Sequence, residues 1–352
     1  MQSPIHDAHI GLGPVMGDWD GWNIPAHYGD PQAEYWAARK CVVRTDRSHR
    51  AKLRVVGNDR KKFLQNILTN EVQSLPPGKG TYAALLLATG KMVADFRVSI
   101  LAESVLLDAE ARCQQAAFSQ LDKFNLGYDC EITDETKDLG MLTLVGPKCQ
   151  ETVREILGVA PPFGATHECL EFEWIGTKTV AATTDRLGPA AIDLIVPAPR
   201  LSSLWEAFES VHPSGFLTLE TLRLEAGMPR FGADMDESVN PMEAGILNAI
   251  DFDKGCYVGQ EVIAKIESLG HVNRHLVGIR IEGDTPPALG APLFESGKKV
   301  GHVTSSTLSP SLGRVVALGY VHRKSSTPGQ ALETEIRSQR LPALVVERPF
   351  VS

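Results

Sequence analysis

Residues 81–110, TYAALLLATGKMVADFRVSILAESVLLDAE, carry the pattern that decides the fold class. Apolar, β-favouring runs are broken at Thr89-Gly90 and once more downstream, which predicts three strands joined by turns, an antiparallel meander. Ahead of it, AKLRVVGND (51–59) reads as a strand entering a turn. Phe63, Leu64, Ile67 and Leu68 recur at helical spacing within residues 58–72, and LPPGKGTY (75–82) breaks that helix. Behind it, helices (QAAFSQLDKF, GPKCQETVREIL, PRLSSLWEAFESV) alternate with strands (LGMLTLVG, KTVAATT, AIDLIVP). Antiparallel strands mixed with helices predict an α+β fold rather than a doubly wound parallel sheet.

Further out, Thr218 reads as the N-cap of a helix through LETLRLEA, with Gly227 as its stop. In NPMEAGI, Asn240 caps, Pro241 takes the first helical position and Glu243 the third. After Gly270 the chain turns to short strands punctuated by Gly and Pro, the pattern of a separate small β-barrel. No internal repeat or low-complexity segment interrupts this order. The expected division is residues 1–50 with 137–270 as one subdomain, 51–136 as a second inserted into it, and 271–352 as the barrel.

The 352 residues are about twice a usual domain length, which suits two or three packed units. A net charge of -8 excludes a general nucleic-acid binder, which needs a basic surface against phosphate. Six scattered cysteines include no C-x-x-C pair, so neither a metal cage nor a disulfide scaffold is expected. No apolar run approaches the roughly 20 residues of a membrane span. MQSPIHDAHIGLG has no secretory character. The expectation is a cytoplasmic protein without membrane contact.

Three places invite chemistry. In KGCYVGQEVIAKI (254–266), Cys256 precedes a helix expected near Gly259 and lies close to Lys254, a setting that favours thiolate. A small buried cysteine in a tight turn fits the same string. Arg223, among leucines, either snorkels to the surface or holds a buried carboxylate or carbonyl. Asp193, in the apolar strand AIDLIVP, is either an edge residue or a paired functional carboxylate.

Four ordered strings resemble the superfamily of the glycine-cleavage T-protein and its YgfZ branch. They are GDWDGWNIPAHYGD (17–30), TDRSHRAKLRVVGNDRKKFLQNILTNEV (45–72), TLRLEAGMPRFGADMDESVNPMEAGI (221–246) and TSSTLSPSLGRVVALGYV (304–321). The resemblance implies two interleaved α/β subdomains around a central channel for tetrahydrofolate or a one-carbon-substituted folate, closed by a barrel. T-proteins carry Gly-Gly-x-x-Asp-Asp on the meander. Here the string is Gly90-Lys91-Met92-Val93-Ala94-Asp95, which sets Ala94 at the expected catalytic carboxylate and Asp95 beside it, on the opposite face. KGCYVGQE is the YgfZ-type signature.

By that resemblance the site comprises Cys256 and Lys254 as functional thiol and its support. Asp193, Arg223, Arg186, Asp95 and Tyr82 are the folate contacts, with Asp193 gripping the amino-pyrimidine edge of the pterin. Arg186 stands where T-proteins have a tyrosine, and the region of Asp108 and Ala109 lacks their pocket asparagine. The implied function is a folate-binding accessory factor for iron–sulfur proteins or their assembly machinery. The alternatives are a folate-dependent aminomethyltransferase or demethylase acting on a small amine, and a scaffold that no longer binds folate.

Overall fold

The meander forms where the sequence places it. Strands Gly80–Leu86, Met92–Ile100 and Ser104–Ala109 pair antiparallel, turning at Gly90, whose φ of +73° suits glycine. The computed structural model describes residues 1–159 and 164–351. Ala51–Val56 and Glu131–Asp134 extend the meander to a five-stranded sheet. Helices Arg60–Ile67 and Gln114–Phe124 bury Phe63, Leu64, Ile67, Ala117 and Leu121 in its core.

A second sheet is assembled from distant pieces. Its order is Cys169–Trp174, Thr177–Thr184, Ala191–Pro197, Leu139–Val145, Val43–Asp46 and His212–Pro213, antiparallel except for the last pair. The chain leaves this sheet after Asp46, builds the whole five-stranded sheet, and returns at Leu139. That excursion interleaves the two sheets and makes their meeting plane the centre of the molecule.

Six strands between Arg274 and Val346 close into a barrel around Ile279, Leu293, Val303 and Val345. Closure removes the open edges that a small sheet would expose. The architecture is therefore α+β with a C-terminal barrel. No described helix is long and apolar enough to cross a membrane.

Two helices differ from expectation. The first helix of the meander's core stops at Ile67, short of the predicted stretch. The helix around Arg223 spans Phe216–Glu225, and Gly215, not Thr218, is its N-cap. The reason is a carboxylate from far away: Glu34 accepts the Gly215 N–H at 2.8 Å and the Thr218 hydroxyl at 3.4 Å. The Asn240 capping box is present as read. Asn240 accepts from the Glu243 N–H at 2.9 Å, Glu243 accepts from the Asn240 N–H at 3.2 Å, and Pro241 opens the helix.

Replacing that cap should be felt directly. Asn240→Ala is expected to cost about 1 kcal/mol of stability, read as a lower urea midpoint, with Asn240→Asp keeping most of it.

Candidate functional site

The two sheets meet across a buried polar layer. Asp193 projects from Ala191–Pro197, in register with Thr143 and, through it, Thr45. Its Oδ1 accepts from the Thr143 hydroxyl at 2.5 Å and Arg47 at 3.3 Å, and its Oδ2 accepts from Arg97 at 2.9 Å. On the opposing sheet, Tyr82, Arg97 and Asp108 lie in one cross-strand row. Arg97 also pairs with Asp108, which takes the Arg50 Nε at 2.6 Å, and Arg50 reaches Glu110 as well.

Two residues along the same strand from Arg97, Asp95 faces this polar side. Its Oδ2 accepts from the Tyr82 hydroxyl at 2.8 Å and lies 3.4 Å from Arg186, while its buried Oδ1 has no partner among the described residues. Burial and the Asp95 carboxylate hold the Tyr82 phenol protonated, well above its usual range. Burial works against charge on Arg186, but Tyr82 and Asp95 outweigh it, so the guanidinium stays charged. It lies 4.5 Å over the Tyr82 ring and donates to the Pro229 carbonyl.

Ala94 points the other way. It is fully buried in the hydrophobic core of the five-stranded sheet, among the residues packed by the helices. Strand alternation does separate the neighbours, but it is Asp95 that reaches the polar side. The expectation that set Ala94 on the site face is therefore corrected: Ala94 is a core position, and of the two neighbours it is Asp95 that faces the polar layer.

The expected central channel is divided. An inner cavity of about 40 Å³ is lined by Arg47, His49, Arg223 and Arg230, and an outer one of about 260 Å³ by Tyr82, Asp185, Asn248 and Arg348. Arg186, Met228 and Pro229 line both and stand between them. Arg348 comes from the C-terminal tail and donates to the Gly227 carbonyl at 3.0 Å.

The remaining sequence-derived site residues are placed differently from their expected roles. Arg223 spends all five N–H donors inside the protein: on Glu220 twice, Met228, Asp234 and Ser305. It locks its helix to the following loop and the barrel rather than facing a ligand freely. Asp193 is likewise occupied by Arg97, Thr143 and Arg47, so it does not present a free edge to a pterin.

Lys254 gives its three N–H donors to the carbonyls of Gln65, Leu68 and Asn70 at 2.6–2.8 Å. It anchors the loop to the end of a helix instead of supporting the Cys256 thiol. Burial pushes its ammonium down to about 8. Cys256 is exposed, four residues before helix Gln260–Leu269, and lines neither cavity. Sequence reading passed over Arg47, His49, Arg50 and Arg97. The signal was there in TDRSHR and in the alternation of Asp95 and Arg97 along an otherwise apolar strand.

Comparisons with known proteins agree with this fold. The GCVT N-terminal domain matches residues 5–254, and the glycine cleavage T-protein C-terminal barrel domain matches residues 274–352. An aminomethyltransferase of Rubrobacter xylanophilus is 31% identical over 352 residues, covering 99% of this chain and 94% of the relative. One of Thermosynechococcus vestitus is also 31% identical, covering 99% and 95%. The crystal structure of glycine cleavage system aminomethyltransferase T from Bartonella henselae superposes with a TM-score of 0.93 at 25% identity, over 100% of this chain and 98% of that one.

His49 gives the site a pH signature. Burial, with Arg47 and Arg50 adding to it, pushes its imidazole from the ordinary 6.5 down to about 3. Between those values the unfolded chain binds a proton that the folded chain refuses. Stability is therefore held above about pH 6.5 and falls as pH drops through the window, by at most about 1.4 kcal/mol per pH unit. Urea unfolding between about pH 7 and 4 should show this slope, and His49→Asn should flatten it.

Proposed function

Because the chain belongs to the glycine-cleavage T-protein family, we propose that it is a folate-dependent one-carbon transferase acting on a small amine, with Asp95 as its catalytic carboxylate. The observation that carries this reading is the Asp95 carboxylate itself. One oxygen is fixed by Tyr82 and Arg186, and the other is buried without a partner among the described residues. A buried acceptor left open is costly unless a ligand completes it.

Tetrahydrofolate, the one-carbon acceptor of this family's aminomethyltransferases, would supply the amine that takes up the one-carbon unit. The outer cavity suits it. Its volume of about 260 Å³ lies just below the usual range of small-molecule sites, Asp185 and Asn248 offer acceptors to the N–H-rich edge of a pterin, and Arg186 and Met228 offer flat or pliable walls. Arg348 adds a cation from the tail. Asp193 and Arg223 are outside this set and act as supports.

Within that frame Asp95 Oδ1 holds or accepts a proton at the reacting amine. Tyr82 donates to Oδ2 and fixes the carboxylate plane, while Arg186 lies 3.4 Å from the same oxygen. The surrounding core excludes water from the pair.

A second reading, an iron–sulfur accessory factor of the YgfZ kind, is favoured by Cys256, exposed on the loop that Lys254 anchors. Cluster-enzyme activity that persists in a Cys256→Ala strain would remove it.

The transferase reading is tested by tetrahydrofolate-dependent release of amine from a panel of one-carbon-bearing donors. Asp95→Asn should lower the rate about 10²–10⁴-fold while folate still binds. Ala94→Asp should gain no activity and lose stability, because it buries an unpaired carboxylate in the core. Full turnover in Asp95→Asn would sink the assignment.

A further inference from the structure

A groove of about 610 Å³ opens on the outer face of the barrel and shares no lining residue with the inner or outer cavity. Strand alternation builds it. Ile279, Ile281, Val315, Ala343 and Val345 point into the barrel core, so Arg280, Glu282, Arg314 and Leu344 point out. Leu344 lies across from Arg280 on one side and from Ala331 on the other, which gives the groove an apolar floor. Glu282 donates its backbone N–H to the Pro342 carbonyl at 3.0 Å and is held in place just beyond its strand.

Three charges converge there without a protein partner. Arg280 faces Val316 across the strand pair, so Arg314, two residues along, is its diagonal neighbour at about 7–8 Å. Ile281 pairs with Val315, and Glu282 and Arg314 follow side by side at the same end. None of these three side chains makes a hydrogen bond or ion pair among the described residues. Opposite charges on neighbouring strands ordinarily pair, as Arg340 and Glu333 do at 3.2 Å on the same barrel. Two guanidiniums and one carboxylate, all open, therefore stand around an apolar floor in a groove of the size that small molecules occupy.

We propose that this groove is a binding site for a free acidic α-amino acid, whose two carboxylates take Arg280 and Arg314 and whose ammonium takes Glu282. The planar guanidinium fork matches the two oxygens of a carboxylate. The methylenes of the ligand lie over Leu344 and Ala331. Two arginines alone would favour the most highly charged anion, a plain dicarboxylate. Glu282 reverses that order, because it repels an anion and is satisfied only by a ligand that also carries a cation. A net charge of -8 gives the chain no general attraction for anions, so selectivity must come from the groove itself. The site does not depend on the transferase reading.

The test is calorimetric titration of L-glutamate and L-aspartate into the full chain at low ionic strength. Glutarate and succinate, which lack the ammonium, and γ-aminobutyrate, which lacks the α-carboxylate, are run beside them.

The expected result is saturable one-to-one binding of at least one of the two amino acids, at least about fivefold tighter than its dicarboxylate or γ-aminobutyrate. Arg280→Gln and Arg314→Gln should each weaken it about fivefold or more. In Glu282→Gln the order should exchange, with the dicarboxylate binding as tightly as the amino acid or tighter. All three side chains are exposed, so these variants should keep the melting temperature of the unaltered protein. Absence of saturable binding by both amino acids overturns the proposal, as does a dicarboxylate that binds the unaltered protein equally well. Undiminished binding in the double variant Arg280→Gln, Arg314→Gln puts the amino acid elsewhere and overturns it too. If an arginine variant loses stability, the Glu282→Gln exchange decides alone, and an unchanged order there sinks the site.

Discussion

The carboxylate of Asp193, held by Thr143 within its own sheet and by Arg97 from the opposing one, is the interaction on which the rest of the arrangement depends. Taking charges out of water is expensive, and such a pair survives only when nearly every donor and acceptor around it is matched. The matching runs outward from Asp193 through Arg97 to Asp108, then to Arg50 and Glu110. One constraint therefore fixes the spacing of two sheets and keeps the plane between them polar. Apolar packing would stabilise that plane more simply, but it would leave no place for ionised groups. The site residues Asp95, Tyr82 and Arg186 lie at the rim of this plane.

The barrel belongs to the same construction. Arg223 donates to Ser305, and Asp234 accepts from Thr304 at 2.5 Å, so the barrel grips the helix and loop that wall the inner cavity. Glu225 is shared by Tyr35, Arg39 and Ser309, and its backbone carbonyl accepts from Phe350 in the tail. Those contacts bring Arg348 to the outer cavity. A C-terminal unit that looks separable in the chain thus completes a wall that the two sheets leave open.

Much of the fold was legible because it is written locally. The meander announces itself through turn residues and runs of β-favouring side chains, the Asn240 helix through its capping box, and the barrel through short strands after Gly270. The site was less legible, since its pairings are non-local. Nothing near Asp193 in the chain reveals that Arg97 and Arg47 will fill it, and nothing near Arg223 reveals Asp234 and Ser305 as its partners. Thr218 lost its expected place as cap to Gly215 for the same reason, because Glu34 arrives from another element. The facing of Ala94 and Asp95 was illegible for a different reason. Period-two alternation separates faces but does not name them, and a single-residue error in anchoring sends every side chain of the strand to the wrong side. The polar pair Asp95 and Arg97, two apart in an apolar run, was the available anchor.

Arg186 stands between the two cavities and beside the Asp95 carboxylate. The guanidinium divides the cavities by three contacts: the Asp95 carboxylate, the Tyr82 ring and the Pro229 carbonyl. A ligand long enough to occupy both cavities must displace it, and can do so only by interactions that offset all three losses. The displacement would also strip Asp95 of its cation. A spanning ligand would then uncover the Asp95 oxygen that Arg186 faces, whereas a ligand confined to the outer cavity would leave that pair in place. A tyrosine at position 186 could partition the space but could not form an ion pair with the carboxylate, so the arginine adds a contact that shape alone does not supply.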